Sequence, residues 1–250
     1  MQRKAFALRL SVADDLCISS VRFAFLGTKK NKIQIMENTS VKGKDEATCF
    51  KCRMGVVQRG LKRFFDALGA VVAMIVFSPF FLVAYIAIKM EKTGPALFKQ
   101  ERIGKNGKPF MLYKFRTMTT DAENGKPKLY NTGGDDRLTK VGKFLREHHL
   151  DELPQLWNVL RGDMSMVGYR PERQYFIDKI MEHDPRYVQL YQMRPGLFSE
   201  ATLYNGYTDT MDKMLERLRM DLAYINKCSI WLDTKIIFLS ALFILTGKKF

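Results

Sequence analysis

The run from Ala67 to Ile88, 22 residues without a formal charge, constrains what this chain can fold into more than any other feature. As one straight helix it matches the hydrocarbon thickness of a bilayer. Ser78-Pro79 stands at its middle. There proline removes a backbone donor and clashes with the carbonyl of Ile75, which predicts a break or sharp kink, and the Ser78 hydroxyl is placed to satisfy a freed carbonyl. Basic residues flank both ends, Arg59, Lys62 and Arg63 before the run and Lys89 and Lys92 after it. A spanning helix carries its Lys/Arg excess on one side, so charge at both ends favours a hairpin that dips into one leaflet and returns to the same face. A kinked span and a buried helix pair are the alternatives.

Before this run, residues 1 to 53 show no sustained apolar periodicity and read as a weakly ordered leader. Cys49 and Cys52 have the spacing of half a zinc knuckle, but no second pair completes four ligands, so they are expected to be incidental thiols. With Cys17 and Cys228 they make four cysteines and suit a reducing compartment. Gly94 to Met118 reads as extended chain with turns at Gly94-Pro95, Asn106-Gly107 and Lys108-Pro109, and Phe110 to Tyr113 as a possible strand. Its six basic residues interleave with aromatics, which gives it a side able to rest on a membrane. After a polar loop, Asp136 is expected to cap an amphipathic basic helix running to about His149. Helices are expected at Leu156–Leu160, 171–183 and 210–226, and the apolar Ile230–Thr246 is expected along the interface or against the core.

The formal charge of +15, from 41 Lys and Arg against 26 Asp and Glu, favours anionic partners without choosing among nucleic acid, acidic lipid and phosphorylated small molecules. Against that background Leu150-Asp151-Glu152-Leu153-Pro154 places two carboxylates at the start of a helix, since proline is tolerated in a first turn. Acids there can simply offset the helix dipole. Successive helical residues point about 100° apart, however, so the two carboxylates are suited to different jobs. With Arg146, Arg161 and Arg170 near in sequence, the set matches a Mg²⁺-dependent phosphoryl-transfer site, where one carboxylate attacks phosphorus, the other holds the metal and arginines clamp phosphate.

Longer motifs carry a resemblance. Gly94-Pro95 with Phe98, Gln100, Arg102, Gly104, Gly107 and Pro109-Phe110 comes first, then Lys114-Phe115-Arg116-Thr117-Met118 and Asp136-Arg137 through Arg146. Leu150 through Gly168, Arg170-Pro171, Arg194-Pro195-Gly196, and Asp221 with Tyr224, Ser229 and Asp233 complete the order. From about Met54 onward the chain resembles the bacterial sugar transferases, the monotopic polyprenyl-phosphate phosphoglycosyl transferases. The resemblance implies an α+β fold, mainly α, with a re-entrant membrane hairpin (54–93) and a catalytic domain (94–250) of interfacial amphipathic helices and short strands at the cytoplasmic face of the bacterial inner membrane. It implies transfer of a sugar-1-phosphate from a UDP-sugar to undecaprenyl phosphate with release of UMP, Mg²⁺ as cofactor, no nucleic acid, and a homodimer as a possible assembly. The products feed surface polysaccharide or glycoconjugate synthesis.

By the same resemblance Asp151 is the nucleophile that forms a covalent phosphosugar, and Glu152 binds Mg²⁺. Arg146 and Arg170 contact phosphate or nucleotide, Lys114, Arg116 and Asp221 join the phosphate and nucleotide contacts, and Ser78-Pro79 breaks the membrane helix. The chain departs from the family pattern in three places. His148 and His149 precede the dyad and are expected to be bystanders, Tyr169 replaces the first proline of Gly-Pro-Arg-Pro, and Leu197-Phe198-Ser199 replaces Ile-Thr-Gly at a place that bears on sugar choice. Short members of the family begin near Met54, so Met36 or Met54 is expected as initiator. The competing reading from the residues is a basic module that binds membrane or nucleic acid without chemistry.

Overall fold

The computed structural model describes residues 50–91, 94–119, 137–206 and 208–246. The charge-free run forms two helices, α1 (Val56–Val76) and α2 (Ser78–Met90), bent by 62°. The break falls at Phe77, with Pro79 in the first turn of α2, where its missing N–H costs nothing. The Ser78 hydroxyl donates to the Ile75 carbonyl at 2.7 Å, as its position in the sequence predicts. No single helix among the described residues is long and apolar enough to cross a membrane; the bent pair together passes that test of length and composition.

The two faces of the hairpin differ. Small residues, Ala70 on α1 and Ala84 on α2, are buried, whereas Phe64, Phe65, Val72, Ile75, Leu82 and Val83 are exposed. Contiguous exposed apolar surface of this kind marks a membrane or protein contact. Two of the basic residues on the first flank turn inward. Lys62 turns inward to Asp233 on α8 (Ile230–Thr246), 2.6 Å away. The Arg63 guanidinium donates to the carbonyls of Val159 and Leu160 at 2.6 and 2.7 Å. Both residues join α1 to the rest of the fold, which leaves Arg59 and Lys89, one on each flank, as the exposed flanking charges among the described residues.

Behind the hairpin lie β1 (Leu97–Ile103) and β2 (Pro109–Phe115), an antiparallel pair that opposes Leu97 to Phe115 and Ile103 to Pro109. The turn between them uses φ of 58° at Asn106 and 67° at Gly107, the left-handed conformation that Asn and Gly tolerate best. The basic helix α3 spans Lys140–Glu147 and is capped by the Thr139 hydroxyl, which accepts from the Gly142 N–H. Asp136 lies outside the described residues. Gln155–Arg161 forms α4 and ends at Gly162 with φ of 92°.

A pair of three-residue strands was not foreseen. Ser165–Val167 (β3) and Gly196–Phe198 (β4) pair in parallel and bring the Met164–Gly168 and Arg194–Gly196 motifs together. A Cβ on Gly196 would lie 2.0 Å from the Gly168 backbone nitrogen, so the crossing requires glycine. Gln174–His183 (α5), Glu200–Asn205 (α6) and Met211–Lys227 (α7) complete the helices, with a 3-10 segment at Pro185–Gln192. On α7, Met214, Leu218, Leu222 and Ile225 recur at helical spacing and pack against Ile177, Ile180, Tyr187 and Leu190.

The end of the expected leader is built into this core. The Phe50 and Cys52 N–H groups donate to Gln189 and Gln192, and Met54 is buried. Cys52 Sγ lies 3.5 Å from Cys228 Sγ, and both thiols are free. Cys52 is therefore packed rather than incidental, while Cys17, Cys49 and residues 1–49 in general lie outside the described residues.

Candidate active site

Asp151 and Glu152 occupy a single 3-10 turn, Leu150–Glu152, ahead of α4 rather than in its first turn. Pro154 is the residue that precedes α4. The chain enters the turn through His149 at φ 55°, a left-handed conformation held by a non-glycine residue just before the two acids. Backbone N–H groups of Glu152 and Leu153 bond back to the carbonyls of His149 and Leu150, which fixes the two side chains in different directions.

Their surroundings differ accordingly. Glu152 is clamped. Its Oε1 accepts from Lys114 Nζ at 2.6 Å and from Arg170 Nη2 at 2.8 Å, and among the described residues its Oε2 has only a long contact, 3.4 Å, with Arg170 Nη1. Burial opposes its ionisation, but Arg170 and Lys114 together hold its carboxyl well below the usual carboxylate range. Asp151 is buried, and among the described residues no hydrogen bond reaches its carboxylate. Desolvation raises its carboxyl to about 6, against the downward pull of Lys114, Arg146 and Arg170 and with the push of Glu152. One carboxylate is thus fixed and ionised, while its neighbour is desolvated, unpinned and close to its titration point.

Lys114 comes from β2, and the register that delivers it is set by Asn158 of α4. The fully buried Asn158 side chain accepts from the Tyr113 N–H at 3.1 Å and donates to the Met111 carbonyl at 2.8 Å. One amide thus stands in for a third strand along the free edge of β2.

Behind Arg170 lies a second polar layer. Arg217 Nη1 reaches Glu172 Oε1 at 2.9 Å, and Arg102 Nη1 reaches Glu172 Oε2 at 3.2 Å. Asp221 accepts from the Ser199 hydroxyl at 3.1 Å and from the Arg170 backbone N–H; burial lifts its carboxyl to about 7. Asp221 therefore positions Arg170, and its reach is to protein groups. A third network ties the hairpin down: Asp66 accepts from the Ser165 hydroxyl at 2.6 Å, Lys62 bridges Asp66 and Asp233, and Tyr224 donates to Asp233. The motif residues Tyr224 and Asp233 belong to this brace.

Of the residues expected at the site, the structure gathers Asp151, Glu152, Lys114, Arg146 and Arg170, with Asp221 behind them. Arg116 does not join them. It is buried, and its guanidinium donates to the carbonyls of Pro95 at 2.9 Å and Ile88 at 3.0 Å, where it closes the end of α2. His148 stacks on Phe144, ring centroids 4.5 Å apart, and lines the cavity beside Glu152. His149 lines the same cavity and is also coupled to the site's charges: burial lowers its pKa, with Glu152 opposing and Arg170, Lys114 and Arg146 reinforcing the shift. Asn158 lies within the Leu150–Gly168 motif, but nothing in the sequence marks its role, and Arg217 reads as an ordinary helix residue.

Among the described residues no three His, Cys, Asp or Glu side chains converge as a complete metal cage. The donor set fits Mg²⁺ nonetheless, because that ion takes one or two carboxylates and completes its shell with water and substrate phosphate. Glu152 Oε2, with its single long contact, is the oxygen open to it.

The model of the family described as bacterial sugar transferase matches residues 57–247. The chain belongs to that family. Among its relatives, the UDP-N-acetylgalactosamine-undecaprenyl-phosphate N-acetylgalactosaminephosphotransferase of Aeromonas hydrophila is 41% identical over 187 residues, 75% of this chain and 44% of that protein. The UDP-glucose:undecaprenyl-phosphate glucose-1-phosphate transferase of Caulobacter vibrioides is 44% identical over 178 residues, 70% of this chain and 66% of that protein. The exopolysaccharide production protein PSS of Rhizobium leguminosarum bv. phaseoli is 40% identical over 196 residues, 76% of this chain and 98% of that protein. The chain thus spans between 44% and 66% of the length of the first two relatives and nearly all of the third.

Proposed function

We propose that this bacterial sugar transferase moves a hexose-1-phosphate or N-acetylhexosamine-1-phosphate from its UDP-sugar to undecaprenyl phosphate, through a covalent phosphosugar on Asp151. The observation that carries the reading is the contrast within the dyad: a desolvated carboxylate that no hydrogen bond from the described residues reaches, beside one clamped by Lys114 and Arg170. A carboxylate bound to several N–H donors is a poor nucleophile. Burial without such bonds raises its reactivity, and neighbouring cations offset its repulsion from a diphosphate.

Asp151 attacks the β-phosphorus, an aspartyl–phosphorus bond forms, and the bond to the bridging oxygen breaks, so that UMP leaves with both electrons of that bond. An oxygen of the acceptor phosphate then attacks the same phosphorus and returns Asp151 as its carboxylate. Arg170 and Lys114 shift from Glu152 toward phosphate oxygens as the donor binds, and Arg146 adds positive charge near the attacking oxygen. Glu152 would hold Mg²⁺, which supplies charge neutralisation at the departing phosphate. Splitting the transfer lets a water-soluble donor leave before a lipid acceptor enters, which gives ping-pong kinetics.

We further propose that the α1–α2 hairpin enters the cytoplasmic leaflet and returns, so that its exposed apolar face meets lipid and the dyad sits at headgroup level. A binding module without chemistry would have no use for a buried nucleophile among cations. Exchange of labelled UMP into UDP-sugar without acceptor tests the reading: it proceeds in the native chain and stops in Asp151→Asn.

A further inference from the structure

A cavity of about 330 Å³ opens beside the dyad, within the size range of small-molecule sites. Its charged groups are Glu152, Arg170 and Arg217, hydroxyls enter at Ser199, Thr202 and Ser240, and the wall is otherwise largely apolar, with Leu197, Phe198, Leu203 and Ile244. Phe77, at the bend of the α1–α2 hairpin, and Ala241 of α8 also line it. Both helices beside this opening expose apolar side chains, among them Ile75, Val76, Phe238 and Leu242. The cavity therefore leads from the carboxylate–arginine cluster to the apolar exterior of the molecule.

We propose that this cavity receives the isoprene units next to the phosphate of the polyprenyl acceptor; the inference rests on the transfer reaction above. A uridine carries hydrogen-bonding groups along its whole length and would leave many of them facing Leu, Phe and Ile. An amphiphile with a phosphate at one end and an unbroken hydrocarbon at the other matches the distribution. Arg170 takes the phosphate, the apolar walls take the first prenyl units, and the rest of the tail leaves past Phe77 and Ala241 along the hairpin. Leu197-Phe198-Ser199, the stretch that departs from the family's Ile-Thr-Gly, lies in this wall. Its effect is on the acceptor rather than on the sugar.

The test uses the full chain in nanodiscs with UDP-sugar and undecaprenyl phosphate. Ala241→Trp at the opening is expected to raise the acceptor KM about tenfold or more relative to the KM for the UDP-sugar, as lost ground-state binding of one substrate requires. A ratio within twofold of the native value overturns the proposal. Should that variant fail to fold, the native chain decides through a polyprenyl phosphate carrying a diazirine on its first isoprene unit. Crosslinks to residues 197–203 or 240–244 support the site, and crosslinks confined to the outer faces of α1 and α2 overturn it. Protection of those residues by UDP-sugar, with none by undecaprenyl phosphate, also overturns it by assigning the cavity to the nucleotide. Crosslinking requires no turnover, so it stands even where acceptor-free exchange is absent and the covalent mechanism fails.

Discussion

Asn158→Ala should cost more than any other neutral polar substitution near the site. The native side chain serves two backbone groups on β2, the Tyr113 N–H and the Met111 carbonyl, from a position with no solvent exposure. Alanine leaves both facing an apolar gap, and a buried polar group without a partner costs about 1–3 kcal/mol. Because Tyr113 and Met111 retain partial exposure, the lower half of that range applies, for a total of about 2–4 kcal/mol. At about 2–4 °C per kcal/mol for a domain of this size, Tm should fall by roughly 4–16 °C. Loosening β2 also frees Lys114 from Glu152, so kcat should fall with the KM for UDP-sugar little changed. Asn158→Asp should fare no better, because its second oxygen faces the Met111 carbonyl instead of donating to it. Differential scanning fluorimetry and steady-state kinetics in one detergent provide both readouts. A Tm within 2 °C of the native value would refute the claim that this amide holds the strand.

Other consequences are as direct. In the proposed mechanism the ionised form of Asp151 attacks, and burial sets its carboxyl near 6, so the first half-reaction should accelerate with rising pH through about 6 and then level off; stopped-flow UMP release measures it. Asp221, lifted to about 7 from an ordinary 3.8, holds a proton in the folded state that the unfolded chain releases. The resulting stability is fully present below about pH 4 and is lost as pH rises through about 7, some 4 kcal/mol in all. Asp221→Asn should therefore raise Tm more at pH 8 than at pH 5, as paired melts would record. Arg116→Met should lower Tm while leaving the KM for UDP-sugar unchanged, since its partners are the carbonyls of Ile88 and Pro95.

What the sequence made legible follows from the range of the forces involved. The break at Ser78-Pro79 and most of the helices come from local rules, and α8 was read to its residue limits. The acidic pair was legible because two adjacent carboxylates before a helix-starting proline, with arginines near in sequence, form a local pattern. Sequence could not show that Lys62 and Arg63 point inward, because a basic residue beside an apolar run reads alike whether it meets lipid headgroups or a helix end. Arg116 was misplaced for the same reason: its charge was visible and its partners, two carbonyls distant in sequence, were not. The parallel pair β3–β4 was missed because three-residue strands leave no periodicity, and their pairing rests on the close approach of Gly168 and Gly196.

The account stands on a covalent bond to one carboxylate. Incubation of the chain with UDP-sugar and Mg²⁺ without acceptor, followed by rapid acid quench and mass spectrometry of the peptide containing Leu150–Leu160, tests it directly. The predicted result is a peptide heavier by one sugar phosphate, with the addition on Asp151 and absent in Asp151→Asn. An unmodified peptide in a preparation that still turns over, or an addition on Glu152, would contradict it.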